Sequence, residues 1–460
     1  MIRNIFKIII ILIFCSHLSY SVDKPNFILI LTDDQAWSGS SIRMDSRVSD
    51  SFGDGYITPS IKRLANEGIR FSNGYAAGPV CVPSRYSIQL GQSVARHGMS
   101  SVFKLKNPFD YRSPDTLAEL LKKYDPSYVT AHFGKWHIET EPHIFGFDIS
   151  DGKTANKEGG DDSKTAYKVR INKDPKLTST LKDRAINFLK KQAESNHPFF
   201  MQISHYANHT WITADPDDLI KYENIPKEKQ HRLPAYSAMT EALDRSIGGV
   251  LIALDELGLS DNTYVIFTAD NGAVPSIPPK PNPKKNLNKP LQGGKWSLKE
   301  GGIRVPFIVR GPNITPKMQC DAPISGIDIL PTIMDLSNNK SFSTSQKIDG
   351  ISFASLLFHG NNSEDINYFN KRNLTWHFPR FNKWNMARAE SAIRKNGWKL
   401  IYSWEDNTRE LYKIDEDHKE EFELSLKEVK IADNLQNELF NYLISVGQVV
   451  PPDSTDQSNK

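Results

Sequence analysis

Two pairs of hard oxygen donors each close a strand-like run: Asp33-Asp34 after the unbroken apolar Phe27–Leu31, and Asp270-Asn271 after the β-branched and aromatic Thr263–Thr268. Adjacent carboxylates repel one another unless a cation sits between them, and oxygen ligands suit Ca²⁺ or Mg²⁺. Taken alone, Asp-Asp after a strand also reads as a turn or helix cap. Cys81 lies in Gly78-Pro79-Val80-Cys81-Val82-Pro83-Ser84-Arg85. Pro83 suits the first turn of a helix, and a residue just before that start faces free N–H groups and the positive end of the dipole, which favour an anion. The competing reading is a buried cysteine or a bridge to Cys320. Tyr128–Phe133 is a β-prone run that enters a turn at Gly134, and residues i and i+2 of an extended segment share a face, so Lys135 and His137 are expected side by side. His205 and His209 have a zinc-like spacing, but zinc binding there needs a helix, and this pair leaves a strand, Phe199–Ser204, for a loop.

These residues need a rigid frame. The apolar strands are of the kind buried on both faces of a mainly parallel sheet, whose C-terminal edge is where ligands bind. Helices are expected over Pro59–Glu67, from Ser113-Pro114-Asp115 through Leu117, Leu120 and Leu121, over Thr180–Ser195, and over Leu233–Leu257 with Gly258 as the stop. The Gly-, Asp- and Lys-rich stretch 143–178 reads as an insertion bordering the cleft, and the Pro- and Lys-rich loop 274–292 as a solvated connection or a lid. From about Ser363 the pattern turns antiparallel: Leu374–Pro379, then Ser391–Arg394, an Asn396-Gly397 turn, Trp398–Tyr402 and Glu410–Tyr412, with an amphipathic helix over Leu424–Val446. The fold class is α/β: a large mixed, mainly parallel sheet between helices, plus a smaller C-terminal antiparallel sheet with a terminal helix.

The 460 residues suit one large domain with a smaller appended one, and they carry no internal repeat. Met1–Ser21 reads as a secretory signal: Arg3 and Lys7 start it, Ile8–Phe14 is the apolar core, and Ser19-Tyr20-Ser21 is the cleavage site. The expected division is 1–21 signal, 22–362 catalytic domain and 363–460 C-terminal α+β subdomain. The apolar run is too short to span a bilayer, and bulky Leu12-Ile13-Phe14 before Cys15 disfavours a lipoprotein, so the product is expected to be periplasmic or secreted, without membrane insertion. Signal removal leaves Cys81 and Cys320, too few thiols for a disulfide framework. Net charge is +3, falling to +1 without Arg3 and Lys7, so no global field draws nucleic acid or acidic polymer.

Cys81-x-Pro83-Ser84-Arg85 resembles the motif of the formylglycine-dependent sulfatases, members of the alkaline phosphatase superfamily. Gly134-Lys135-x-His137, Tyr206-Ala207-Asn208-His209, Gly294-Lys295 and Glu300-Gly301-Gly302-x-Arg304-x-Pro306 resemble further segments of that family, in the same order. The resemblance implies an alkaline-phosphatase-like sandwich. It also implies that Cys81 is a precursor, converted to 3-oxoalanine (Cα-formylglycine) by a formylglycine-generating or anaerobic sulfatase-maturing enzyme. Asp33, Asp34, Asp270 and Asn271, with one oxygen from position 81 or the sulfate, would hold Ca²⁺ or, alternatively, Mg²⁺. Asn271 in place of histidine favours one metal over the two zinc ions of related phosphatases. Phe133 and Ser127 depart from the family pattern without touching the chemical side chains, and Asn208 replaces its usual proline.

By the same resemblance, a hydroxyl of the hydrated aldehyde, held by Arg85, attacks sulfur in line. Lys135 and Lys295 contact the sulfate, His209 or Lys295 protonates the leaving alcohol, and His137 takes the proton whose loss expels sulfate. His97, His205, Arg304, His377 and Arg380 are the expected substrate contacts. Secretion and an aromatic rim of Trp211, Trp296, Trp376 and Trp384 suit a sulfated carbohydrate. The alternatives are a phosphodiester or phosphonate monoester hydrolase of the same superfamily and a non-catalytic sulfated-glycan-binding relative.

Overall fold

The computed structural model describes residues 24–100, 115–160, 169–226, 233–275, 286–339, 341–380 and 388–448. The expected signal segment, Ser113 and Pro114, most of the proline-rich loop and Trp384 lie outside these residues.

The strand Asn26–Thr32 shows why its apolar run is unbroken. Ile28 and Ile30 enter one core with Leu181, Leu189, Ile247 and Leu251, while Phe27, Leu29 and Leu31 enter another with Leu117, Leu121, Leu330 and Ile333. This strand lies inside an eight-stranded sheet of order Met318–Cys320, Ile69–Phe71, Phe307–Arg310, Thr263–Ala269, Asn26–Thr32, Phe199–Ser204, Val129–Gly134, Ile149–Ser150. The last five run parallel, and Phe307–Arg310 is antiparallel to both its neighbours. The helices Pro59–Glu67, Thr178–Ser195 and Pro234–Glu256 supply the first core, and Cys81–Leu90, Leu117–Tyr124 and Ile329–Leu336 the second.

Register builds the site. Leu31 pairs with Ser204 and Thr32 with Ala269, so Asp33, His205 and Asp270 leave adjacent strands at one level of the C-terminal edge.

The C-terminal sheet runs in sequence order through Leu374–Phe378, Glu390–Lys395, Trp398–Ser403 and Thr408–Tyr412, all antiparallel. Its hairpin turns at Asn396 (φ 50°) and Gly397 (φ 77°), the positive pair that a two-residue turn requires. One face is covered by the helix Val429–Ser445 through Leu435, Leu439 and Leu443. The other packs Trp376, Ala392 and Ile401 against Tyr75, Val80, Leu298 and Ile303, segments that lead into Cys81 and follow Lys295.

Several local expectations change. The terminal helix starts at Val429, not Leu424. The helix Leu117–Tyr124 is capped by Thr116 in a capping box with Glu119, rather than by Ser113–Asp115. The stretch 143–178 contributes the edge strand Ile149–Ser150 and a two-residue strand, Arg170–Ile171, paired with Thr213–Ala214.

Candidate active site

Cys81 is the first residue of its helix rather than the residue before it; Val80 is the N-cap, and Pro83 lies within the first turn. The side chain is 2% exposed and points at the sheet edge. Its Sγ is 3.4 Å from Asp33 Oδ1 and 3.9 Å from Asp34 Oδ1. Two ammonium groups flank it, Lys295 Nζ at 3.3 Å and Lys135 Nζ at 3.7 Å. Both Cys81 and Cys320 are free thiols, so the bridge between them is not formed. Burial pushes the Cys81 thiol well up despite the two lysines, so the unmodified side chain stays protonated and is a poor nucleophile.

The lysines are held by the carboxylates. Lys135 donates to Asp33 Oδ2 at 2.5 Å and Lys295 to Asp34 Oδ2 at 2.8 Å. Burial works against the Asp33 charge, but Lys135, His209, Arg85 and Lys295 outweigh it and keep its carboxyl well below the usual carboxylate range. Burial and then the neighbouring Asp33 push Asp270 up to about 6. Lys295 moves upward because Asp34 overcomes the cost of burial.

Burial works against the Arg85 charge, but Asp270, Asp33 and Cys81 outweigh it. Arg85 Nε and Nη2 donate to Asp270 Oδ2 at 2.9 and 2.7 Å, and its Nη1 donates to the Lys135 carbonyl. The guanidinium therefore fixes Asp270 and the Lys135 turn beside residue 81.

The turn carrying Lys135 and His137 is not extended, which corrects the i, i+2 reasoning. Gly134 has φ +93°, and a Cβ there would sit 2.1 Å from the Ser204 carbonyl oxygen; His137 itself has φ +55°. The segment after Asp151 shapes this turn. Asp151 Oδ2 accepts the Gly134 N–H at 2.8 Å, Thr154 Oγ1 accepts that of Trp136 at 2.9 Å, and the Thr154 carbonyl accepts that of His137 at 2.8 Å. Thr154 gave no sequence signal, standing in a polar stretch read as an insertion. Burial, then Lys135 and Arg85, hold His137 well below the usual imidazole value, and its buried Nδ1 has no hydrogen-bond partner among the described residues. His209 Nε2 is 3.7 Å from Asp34 Oδ2; burial and then Lys295 lower its pKa, and Trp211 stacks parallel to its ring at 6.0 Å.

The donor set fits a hard divalent cation. Asp33, Asp34, Cys81 and His209 offer ligand atoms within 4.8 Å of one another. Asn271 Nδ2 donates to Asp34 Oδ1 at 2.6 Å, which leaves its Oδ1 buried and without a hydrogen-bond partner among the described residues. A buried acceptor left over beside three carboxylates is what a cation ligand looks like before the ion is added. Gly272 is required beside it, since a Cβ would meet the Gly301 carbonyl oxygen at 1.9 Å.

Three expected substrate contacts, His97, Arg304 and His377, are engaged by neighbouring side chains. His97 uses both ring nitrogens, Nε2 with Ser87 Oγ at 2.9 Å and Nδ1 with the Met99 N–H at 3.1 Å; burial pushes it down to about 3. It ties the back of the Cys81 helix to the next turn. His205 is 1% exposed, burial pushes it down to about 3, and its buried Nδ1 has no hydrogen-bond partner among the described residues. Arg304 pairs with Glu300 at 2.8 Å and lies over the rings of Trp37 and Tyr75. His377 bonds Ser391 Oγ at 2.7 Å inside the C-terminal sheet. Trp376 also leaves the proposed rim: it is 1% exposed, with its Nε1 donating to the Ala76 carbonyl at 2.9 Å. Trp211, Trp296 and Arg380 remain partly exposed.

Carboxylates and ammoniums converge on one buried side chain at the C-terminal edge of a mainly parallel sheet, an arrangement suited to a cation and an anionic ester together. The chain belongs to the sulfatase family: the Sulfatase family model matches residues 25–339, and the model described as N-sulphoglucosamine sulphohydrolase, C-terminal matches residues 294–447. It is a sulfuric ester hydrolase of alkaline-phosphatase-like fold. A sulfatase of Formosa agariphila is 28% identical over 92% of this chain and 89% of its own. The ulvan-active sulfatase of the same organism is 30% identical over 69% of this chain and 62% of its own. The crystal structure of Ps i-CgsB superposes with a TM-score of 0.75 at 25% identity, over 95% of this chain and 96% of that one. Among the described residues, no helix is long and apolar enough to cross a membrane.

Proposed function

We propose that the protein removes sulfate from a sulfated carbohydrate, using formylglycine made from Cys81 and a divalent cation, Ca²⁺ or Mg²⁺. The observation that carries this reading is the Cys81 side chain lying 3.3 Å from Lys295 and 3.7 Å from Lys135, against the Asp33 and Asp34 carboxylates. After conversion, position 81 supplies a geminal diol: one hydroxyl accepts the sulfuryl group, and deprotonation of the second releases it. Asp33, Asp34, Asp270 and the Asn271 Oδ1 that has no hydrogen-bond partner among the described residues would hold the cation, which when bound polarises the attacking oxygen and offsets sulfate charge.

The remaining side chains have separate tasks. Lys135 and Lys295 place positive charge where sulfate oxygens must sit, in a pocket with little water, a position in which one donor is worth on the order of 3 kcal/mol in the transition state. Arg85 acts through Asp270 and the Lys135 carbonyl, holding a cation ligand and a sulfate contact in place. Neutral His137, with Nδ1 uncommitted, takes the proton whose removal frees the product. The leaving oxygen receives its proton from His209, or from Lys295, which stays protonated.

A carbohydrate substrate is supported by the printed name of the ulvan-active relative and by Trp211 and Trp296, partly exposed beside His209 and Lys295. Arg380 is a further candidate contact, just past the strand Leu374–Phe378. Secretion and a maturase partner complete the reading. The test has two measurements. The Cys81 peptide from protein made with a maturase should be about 18 Da lighter than its cysteine form, and the enzyme should release sulfate from sulfated oligosaccharides faster than phosphate from diesters or phosphonate esters. Unmodified Cys81 under competent maturation, together with retained sugar binding in Lys135→Ala, would move the protein to the glycan-binding class.

A further inference from the structure

We propose that Glu420 is a positioning residue that holds Lys295 at the active site by gripping both stems of the loop that carries it; this rests on the reading of Lys295 given above. Between Gln292 and Lys299 the chain forms no helix or strand, yet it must present an ammonium 3.3 Å from Cys81 Sγ. Within the loop, the Lys295 N–H donates to the Ala273 carbonyl and that of Trp296 to the Pro79 carbonyl, both at 2.9 Å. Those two bonds fix the tip only if the stems are fixed.

Both stems end on one distant residue. On the entry side, Gln292 Nε2 donates to the Glu420 carbonyl at 2.9 Å. On the exit side, the Glu300 N–H donates to Glu420 Oε2 at 2.8 Å. The Gly301 N–H closes the neck on the Gln292 carbonyl at 2.7 Å. Glu420 is itself anchored from the C-terminal sheet: Lys399 Nζ donates to Glu420 Oε1 at 3.0 Å and to Glu300 Oε1 at 2.8 Å. Its own backbone is left-handed, φ +55°, a conformation that a residue with a side chain keeps only when its surroundings hold it there. Backbone carbonyl and carboxylate thus serve different stems, and a change at Glu420 reaches Lys295 without touching the substrate.

The experiment compares full-length wild type, Glu420→Ala and Glu420→Gln, each produced with a maturase. Glu420→Ala should lower kcat about 10- to 100-fold with KM changed less than about threefold, the cost of shifting a charge-stabilising group by roughly 1 Å. Glu420→Gln keeps an acceptor for the Glu300 N–H and should recover kcat to within about fivefold of wild type. A crystal structure of Glu420→Ala should show Lys295 Nζ withdrawn from residue 81. A folded Glu420→Ala enzyme with wild-type kcat, an effect confined to KM, or an unmoved loop overturns the proposal. If Glu420→Ala does not fold, Gln292→Ala removes only the entry tie and should still lower kcat; no change there overturns it equally. A wild-type enzyme with no sulfate-ester turnover sinks the assignment of function instead, and the crystallographic comparison of the loop still decides the clamp.

Discussion

Two clusters of charge are buried in this protein, and they differ in what they leave unfinished. At the sheet edge, Asp33, Asp34 and Asp270 crowd together with Arg85, Lys135 and Lys295 around a neutral thiol. At the seam with the C-terminal sheet, Glu300 and Glu420 share Lys399, and Glu300 also takes Arg304 and the Tyr75 hydroxyl. Both clusters are almost wholly out of water. Each carboxylate in both clusters has a cation beside it, but the edge cluster keeps Asn271 Oδ1 without a hydrogen-bond partner among the described residues and drives Asp270 up to about 6. Buried charge by itself therefore marks neither function nor stability. A site is distinguished by the capacity it holds for a ligand that the chain does not supply.

The largest effect should separate the clusters outright. Cys81→Ala removes a small side chain whose polar contacts all belong to the site, so sulfate release should fall about 10³-fold or more while the melting temperature moves by only a few degrees. Lys399→Ala costs stability first: it leaves Glu300 and Glu420 buried without their shared cation and should cost about 3–5 kcal/mol, while sulfate release falls only as far as the loosened Glu420 anchor lets Lys295 move. Equal thermal losses in the two variants would show that the edge cluster is structural too. The next effect is cation linkage. Adding Ca²⁺ to chelator-treated enzyme should raise the melting temperature, by an amount worth about 3 kcal/mol at a hundredfold excess over Kd. Glu300→Gln should retain this response, whereas Asn271→Ala should weaken it at least tenfold in Ca²⁺ concentration, an effect of about 1.4 kcal/mol. A cation response that survives Asn271→Ala and is lost in Glu300→Gln would place the ion at the seam.

What was legible in the sequence follows the same division. Asp33, Asp34, Asp270 and Asn271 could be read because each pair directly follows an apolar strand, and parallel register then brings the strand ends together. Cys81 could be read because Cys81-x-Pro83-Ser84-Arg85 resembles the sulfatase motif; Pro83 by itself marks only the start of a helix. Arg304, His97 and His377 lie in or beside recognisable segments, yet their partners are Glu300, Ser87 and Ser391, and nothing local says whether such a side chain faces a ligand or a neighbour. The role of Glu420 was illegible for the same reason, being defined by Gln292 and Glu300 more than a hundred positions away. Local pattern conveys strand, turn and helix start; it does not convey which long-range partner completes a buried polar group.

The smallest effect tests whether the seam is as complete as its ion pairs suggest. Glu390 lies in the C-terminal sheet, where its Oε2 accepts the Leu298 N–H at 3.4 Å. Burial and then Glu410 push its carboxyl up to about 7 from an ordinary 4.5, against the pull of the Leu298 N–H, Lys299 and Arg388. Because the folded value lies above the unfolded one, its contribution to stability is fully present below pH 4.5 and is lost as pH rises through about 7. The shift corresponds to about 3 kcal/mol at most. Glu390→Gln should therefore match wild type in thermal melts near pH 4.5 and melt higher near pH 8. A difference that stays constant with pH would mean that the carboxylate is already compensated when charged, and that the closed character of the seam extends one residue further than its ion pairs.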